Sequence, residues 1–495
     1  MAEGALIDLA WARQHWLALV LLLAYTAMLI RHARIGRLGT RGVDDYYVGG
    51  RNVGGLALGV SFYATFASTN SYVGHAGKGY EYGVPWFSLA VLIVLFTWLS
   101  WTTVAPRLRR FTGHWDALTL PDYLERRFAA PGPALRLASG LVIVFSSLLF
   151  LVAVFKGAGS VFQMFLGIPY QAAVAVTLLV VMFYTSIGGF LSVVRTDVLQ
   201  GALMVVGSMT IFYFVTDAAG GVARLPELAE RPDTAALFSW SPGIPFVVLI
   251  GIALSGSLKL LVDPRQISRF YALKDERSLR TGMWVSVVGI ALIQFCLFPV
   301  GLYAHFLIDG VADTDLIIPT LVNDPAVFPV WAGDFLIIAI VAAAMSSMDS
   351  VLLVGASVLY RDVVAPLRAA LAWPVGPPTR PLAWTRGGVV GLAAIAAVVA
   401  LNPPGGIIEI TIFSGSLYAV CFLPAILFGL HWRRGTASAV LGSMICGVVV
   451  LLAWMLAGLG ALAHEVFPAL IVSCVVYALI AWRQPPALAA WPDDR

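Results

Sequence analysis

Val341-Ala-Ala-Ala-Met-Ser-Ser-Met-Asp-Ser350 lies inside an apolar run, residues 335–359, long enough to cross a bilayer as a helix. On that helix Ala343, Ser346, Ser347 and Ser350 fall three or four residues apart and share one face, with Asp349 at its edge. A carboxylate and three hydroxyls at membrane depth are costly unless they face protein interior, water or an ion. Each serine alone has an ordinary reading: a helix–helix contact, or a bond back to the carbonyl one turn earlier. Asp349 shifts the balance, because an intramembrane acid is functional by default and oxygen-only donors suit a hard cation.

The rest of the chain shares the membrane character of this stretch. Of its 495 residues, 60% are hydrophobic and 12% charged, about half the charged share usual in soluble proteins. Mean hydropathy is +0.87. Repeated apolar runs of about 20 residues make it an all-α polytopic membrane protein. The net charge of +4 is no nucleic-acid footprint, and no nucleic-acid partner is expected. Cys296, Cys421, Cys446 and Cys474 all lie in apolar runs and read as small packing residues, without disulfide or metal spacing. The seven histidines are scattered and no HExxH or Gly-x-Ser-x-Gly element occurs, so an enzyme is not expected. The first apolar run lacks a basic lead-in and is followed by arginines, which reads as a retained span.

Thirteen spans can be drawn, near residues 15–30, 53–77, 84–104, 134–166, 168–187, 197–216, 244–262, 282–308, 333–359, 387–401, 407–431, 437–459 and 466–482. Alternate loops hold 25 of the 31 Lys and Arg residues. The positive-inside rule then puts the amino terminus outside and the carboxyl terminus inside. The loop at 306–332, with Asp309, Asp313, Asp315 and Asp324 and no base, fits the outer face. No soluble domain interrupts the spans and no signalling domain follows them, so a transporter-like sensor would need a partner protein.

Two spans look interrupted. The second mixes Gly, Ser, Thr and Asn through its middle, and the seventh carries Ser255-Gly-Ser257 between apolar halves. Setting the first span aside, each opens a five-helix half, the pattern of an inverted-repeat carrier with a midplane site. Unwound backbone there frees carbonyls to hold a cation.

Five motifs in order then resemble the sodium:solute symporter family, over about residues 44–362. They are Asp45-Tyr-Tyr-Val-Gly-Gly-Arg-Asn-Val-Gly54 with Ala64-Thr-Phe-Ala-Ser68; Tyr72-Val-Gly-His-Ala-Gly77; Gly188-Gly-Phe-Leu-Ser-Val-Val-Arg-Thr-Asp-Val-Leu-Gln200; Arg269-Phe-Tyr-Ala-Leu-Lys-Asp275; and Ala342-Ala-Ala-Met-Ser-Ser-Met-Asp-Ser350. The resemblance implies a LeuT-type fold, with ten core helices in two inverted five-helix repeats, one extra helix before and two after. It divides the chain into 1–43 (extra helix and first loop), 44–218 and 219–435 (the two repeats) and 436–495 (two last helices and tail). It also implies Na⁺-coupled uptake of a small organic solute by alternating access, Na⁺ being the coupling ion.

The family's main sodium site, carried over by position, uses the carbonyls of Ala64, Ala67 and Ala343 with the side chains of Ser346 and Ser347. Alanine is no objection where a backbone oxygen is the ligand. A second site in some relatives maps to Asp197, Ser346, Asp349 and Ser350, with Asp349 standing where a hydroxyl is usual. Two acids there would hold a second Na⁺, or one would carry H⁺. Asp197 also reads as an acid at a helix start, or as a partner of Arg195.

On the substrate side, Lys156 inside core helix three reads as a counter-charge for a carboxylate, as the partner of an internal acid such as Asp349 or Asp197, or as a side chain snorkelling to an interface; the fold resemblance adds a lysine standing in for sodium. Asn70, Ser71 and His75 on broken helix one are hydrogen-bonding candidates, though His75 alone also reads as an ordinary buried or vestibule histidine. Lys78 reads as an interfacial cation, and Tyr82 and Trp86 as an aromatic belt or gate. The stretches around 72–83 and Leu120-Pro-Asp-Tyr123 look closer to the pantothenate, monocarboxylate and proline branch than to sugar carriers. The expected substrate is an organic acid or an amino acid. The alternatives are an H⁺-coupled or ion-independent carrier of the same fold, or a sensor. With Arg 27 to Lys 4 the composition suggests a GC-rich bacterium, hence a multi-pass inner-membrane protein with no obligatory protein partner.

Overall fold

The structure is a computed structural model describing residues 9–40, 42–241, 243–371 and 381–485. The ends that enter the domain division, 1–8 and 486–495, lie outside the described residues. Its long helices, in chain order, are α1 (Trp16–Gly39), α2 (Gly55–Phe66), α3 (His75–Tyr82), α4 (Val84–His114), α5 (Leu120–Arg127), α6 (Ala134–Leu166), α7 (Tyr170–Gly188) and α8 (Phe190–Ala218). They continue as α9 (Phe246–Leu258), α10 (Pro264–Tyr271), α11 (Glu276–Ala304), α12 (Val330–Val358), α13 (Pro381–Ala400), α14 (Ile407–His431), α15 (Ala437–Leu456) and α16 (Val466–Arg483).

Among the described residues, twelve helical stretches are long and apolar enough to cross a membrane. The thirteenth expected span, 53–77, is instead two short helices: α2, then a wide turn Asn70–Gly74 running into α3. Neither half is long enough to span by itself. At the break Ala67 turns extended (φ −69°, ψ 120°). The carbonyls of the last turn of α2 therefore lose their partners one turn on.

The second interruption is not where the residues Ser255-Gly-Ser257 pointed. Helix α9 runs straight through them, because their hydroxyls are satisfied within the bundle. Ser257 donates to the Ala253 carbonyl at 2.7 Å, and Ser255 to Ile412 of α14 at 3.0 Å. The chain breaks farther on, at Val262-Asp263, where Pro264 disfavours helical backbone at the residue before it. Asp263 is extended and caps α10 by accepting the Arg265 amide at 2.9 Å.

Helix α12 sits in the middle of the bundle, with every residue from Leu336 to Leu353 buried. It packs on α2, α6, α8 and α1, while α2 lies along α11. A Cβ on Gly55 would overlap the Ser278 carbonyl, so glycine sets how closely α2 approaches the start of α11. The last two helices pack mainly on each other and on α14.

Ion pairs cluster at opposite ends of the bundle. At the end reached by α3, Lys78 pairs with Glu81 (2.7 Å) and with Glu409 of α14 (2.8 Å). There too Lys156 pairs with Asp315 (2.9 Å). At the other end Asp122 takes Arg126 and Arg361 (both 3.0 Å), and Arg136 takes Glu125 and Asp362. Burial opposes charge on Asp122, but Arg361, the Leu118 amide and Arg126 outweigh it and hold this carboxyl below its usual range.

A candidate cation site at the break of α2

Two elements build the candidate site. The break after Phe66 offers unpaired carbonyls, and the small-residue face of α12 lets its hydroxyls reach them. Ser346 Oγ donates to the Ala64 carbonyl at 2.6 Å. Ser347 Oγ lies 3.1 Å from the Thr65 carbonyl and 3.2 Å from that of Ala67. Ala64, Ala67, Ala343, Ser346 and Ser347 are all fully buried. The cluster is made of hard, neutral oxygens, which fit a monovalent ion that must leave again. Among the described residues no three His, Cys, Asp or Glu side chains gather in a way that would hold a transition metal.

Next to it lies an acidic cluster built around a buried arginine. Arg269 of α10, counted among the loop bases, is fully buried. Its Nη2 lies 2.6 Å from Ser350 Oγ, 2.7 Å from Thr65 Oγ1 and 3.4 Å from Asp197 Oδ2, and its Nε lies 3.1 Å from Ser61 Oγ. Ser61 in turn donates to Asp197 at 2.6 Å. Asp349 accepts only long bonds, from Tyr184 and Ser350, both at 3.4 Å. Asp197 is therefore no dipole-complementing acid of the first turn, and its ion pair is with Arg269 instead of Arg195. Four oxygen-bearing residues of the expected second site, Asp197, Ser346, Asp349 and Ser350, do come together. A guanidinium already occupies part of their coordination. The signal in the sequence was an arginine just past an apolar helix and a proline break, and only the fold turns it inward.

The substrate-side residues separate. Lys156 does not pair with Asp197 or Asp349; it pairs with Asp315 and reaches the Gly405 carbonyl at 3.4 Å, at the α3 end of the bundle. Asn70, Ser71 and His75 are buried beside the break, and Asn70 Oδ1 and His75 Nδ1 have no hydrogen-bond partner among the described residues. The His75 ring stacks on Phe298 at 4.5 Å and lies 6.2 Å from Trp86.

Comparison with known families matches residues 46–447 to "Sodium:solute symporter family". The chain belongs to the sodium:solute symporter family. Relatives in this family include the osmoregulated proline transporter OpuE of Bacillus subtilis, 29% identical over 91% of this chain and 92% of its own. Another is the sodium/pantothenate symporter of Haemophilus influenzae, 27% identical over 88% and 89%. Among solved structures, a Na⁺-coupled sialic acid symporter in an outward-open state aligns with a TM-score of 0.77 at 20% identity, covering 95% of this chain and 98% of that one. The inward-facing form of Mhp1 aligns at 0.56 and 13% identity over 88% and 92%, so the LeuT-type fold expected from the motifs holds. As a member of this family the protein is a symporter and no enzyme: a multi-pass plasma-membrane carrier of a small solute, with Na⁺ as coupling ion.

Proposed function

We propose that the protein imports a small organic acid or amino acid by alternating access, with one Na⁺ held by the carbonyls of Ala64, Ala67 and Ala343 and the hydroxyls of Ser346 and Ser347. The observation that carries this is the approach of both α12 hydroxyls to the α2 break, at 2.6 to 3.2 Å. Sodium entering from outside binds between the two helices and favours the outward-open form. It shifts that equilibrium only by its differential affinity for the two states. Substrate binding, closure and loss of Na⁺ to the low-sodium interior complete the cycle. The proline and pantothenate carriers among its relatives support the substrate class.

In this reading residues 44–218 and 219–435 are the two inverted repeats. Broken pairs α2–α3 and α9–α10, one opening each half, support the division. Counting α2–α3 as one crossing gives thirteen, with the amino terminus outside and the carboxyl terminus inside. Asp197, Asp349, Ser346 and Ser350 form a second cation or proton site for which Arg269 competes. Asn70, Ser71 and His75 contribute to the substrate site, and Lys156 acts through its pair with Asp315 as part of the outer gate. The carrier works without a protein or nucleic-acid partner. Purified protein in liposomes tests this directly: labelled proline or pantothenate accumulates with an inward Na⁺ gradient and fails to accumulate with K⁺ or a proton gradient alone. Equal uptake without Na⁺ would reject the sodium-coupled reading.

A further inference from the structure

Lys259 is a cation for which the described structure supplies no counter-ion. It follows directly after α9, four residues before the Asp263 break, and is 5% exposed. Its ammonium lies 5.3 Å from the ring centroid of Phe66 and 5.7 Å from that of Phe150. It makes no ion pair, and the acid nearest in sequence, Asp263, is taken up by Arg265 with two contacts at 3.0 Å. Arg265 also stacks on Phe150, at 3.8 Å. Two basic side chains therefore lie beside one carboxylate, and Arg265 holds it. Burying an amine without a counter-ion is costly, and two aromatic faces offset only part of that cost.

The elements around Lys259 are those that enclose the site proposed above. Phe66 is the last residue of α2, adjoining the proposed sodium ligand Ala67. Phe150 is on α6, and Gly415 of α14 faces the lysine's own stem. Among the described residues, buried polar atoms with no hydrogen-bond partner gather just past the α2 break: Thr69 Oγ1, Asn70 Oδ1 and His75 Nδ1. Lys156, the sequence candidate for an anion, is already neutralised by Asp315.

We propose that Lys259 binds the carboxylate of the transported solute, and that the solute is a monocarboxylate anion without a free ammonium group. The proposal rests on the symport reading and narrows its substrate class. An amino acid would bring its own cation, and among the described residues the acid beside Lys259, Asp263, is already held by Arg265. Hydroxyl or amide groups of the solute would meet the unpartnered atoms of Thr69, Asn70 and His75.

The test uses full-length protein in liposomes with an imposed Na⁺ gradient, and labelled pantothenate, pyruvate and proline as probes. Pantothenate or pyruvate should accumulate, and proline should not. Lys259→Met should lower uptake of the carboxylate about 100-fold or more at subsaturating solute, the scale for losing a buried charged partner, with Lys259→Arg recovering part of it. Thermal stabilisation by Na⁺ alone, measured on the same variants, should stay within about twofold of wild type in apparent affinity and certifies that they fold. Proline uptake that survives Lys259→Met, or carboxylate uptake unchanged by it, overturns the proposal while leaving Na⁺ symport intact. Absence of both Na⁺-driven uptake and Na⁺ stabilisation in wild type overturns the symport reading and this proposal with it.

Discussion

Replacing Ser346 and Ser347 together by alanine removes two of the five proposed sodium oxygens and leaves the helices in place. Both side chains are fully buried on a helix of small residues, so loss of a hydroxyl changes little volume. Each hydroxyl holds a carbonyl of the α2 break, at 2.6 Å for Ser346 and 3.1–3.2 Å for Ser347. A bond to a charged group is worth about 1.5–3 kcal/mol, so each deletion should weaken Na⁺ binding about 10- to 150-fold. The same deletion leaves buried carbonyls unpaired without the ion, which costs about 1–3 kcal/mol of stability per site. The two effects are separated by a sodium titration. If wild type is stabilised by about 2.7 kcal/mol at a hundred times its dissociation constant, a variant weakened 100-fold keeps about 0.4 kcal/mol at that sodium concentration. Unfolding temperature against Na⁺, with K⁺ as the ionic-strength control, reads this without needing the substrate. Half-saturation of both stabilisation and uptake should shift together. A double variant whose sodium dependence stays within about threefold of wild type would refute the site, because oxygens that ligate the ion cannot be lost so cheaply.

Three further outcomes follow from the geometry. Arg269→Met should strip the buried acids of their partner and cost about 3–5 kcal/mol, and adding Asp197→Asn should restore much of that loss, as measured by denaturation midpoints. If the double variant is as unstable as the sum of the singles, the two residues are not coupled. Lys156→Met and Asp315→Asn should have closely similar effects on uptake, and the pair together little more than either alone; additive effects would mean that the 2.9 Å contact carries nothing. Asp122, held below the ordinary carboxylate range, stabilises the fold above about pH 4, and that contribution is lost as pH falls further, through its folded value. Asp122→Asn should lower stability at pH 7 by about 2–3 kcal/mol and flatten its fall below pH 4. An unchanged acid limb in melting curves would show that the carboxylate is not what titrates.

Composition and periodicity were sufficient for the membrane class, for nearly all the spans and for the face of α12. Those depend on local quantities: apolar run length, helical spacing and the cost of an acid in hydrocarbon. The break in the second span was equally readable, because Gly, Ser, Thr and Asn interrupt a helix within their own few residues. The second break was misread for a reason the sequence hides. Whether a Ser-Gly-Ser element disrupts a helix depends on whether neighbouring carbonyls accept its hydroxyls, and here Ala253 and Ile412 do. Pro264 was the better local signal.

Charge pairing between distant segments lay beyond the sequence. Lys156 meets Asp315, Arg269 turns in upon Asp197 and Ser350, and Lys259 is left facing two aromatic rings, across separations of 159, 72 and up to 193 residues. A side chain's type sets what it needs, a counter-charge or an ion. Which group supplies it is decided by helices that meet only after the chain has folded, because Coulombic interaction depends on distance and local dielectric and not on order along the chain.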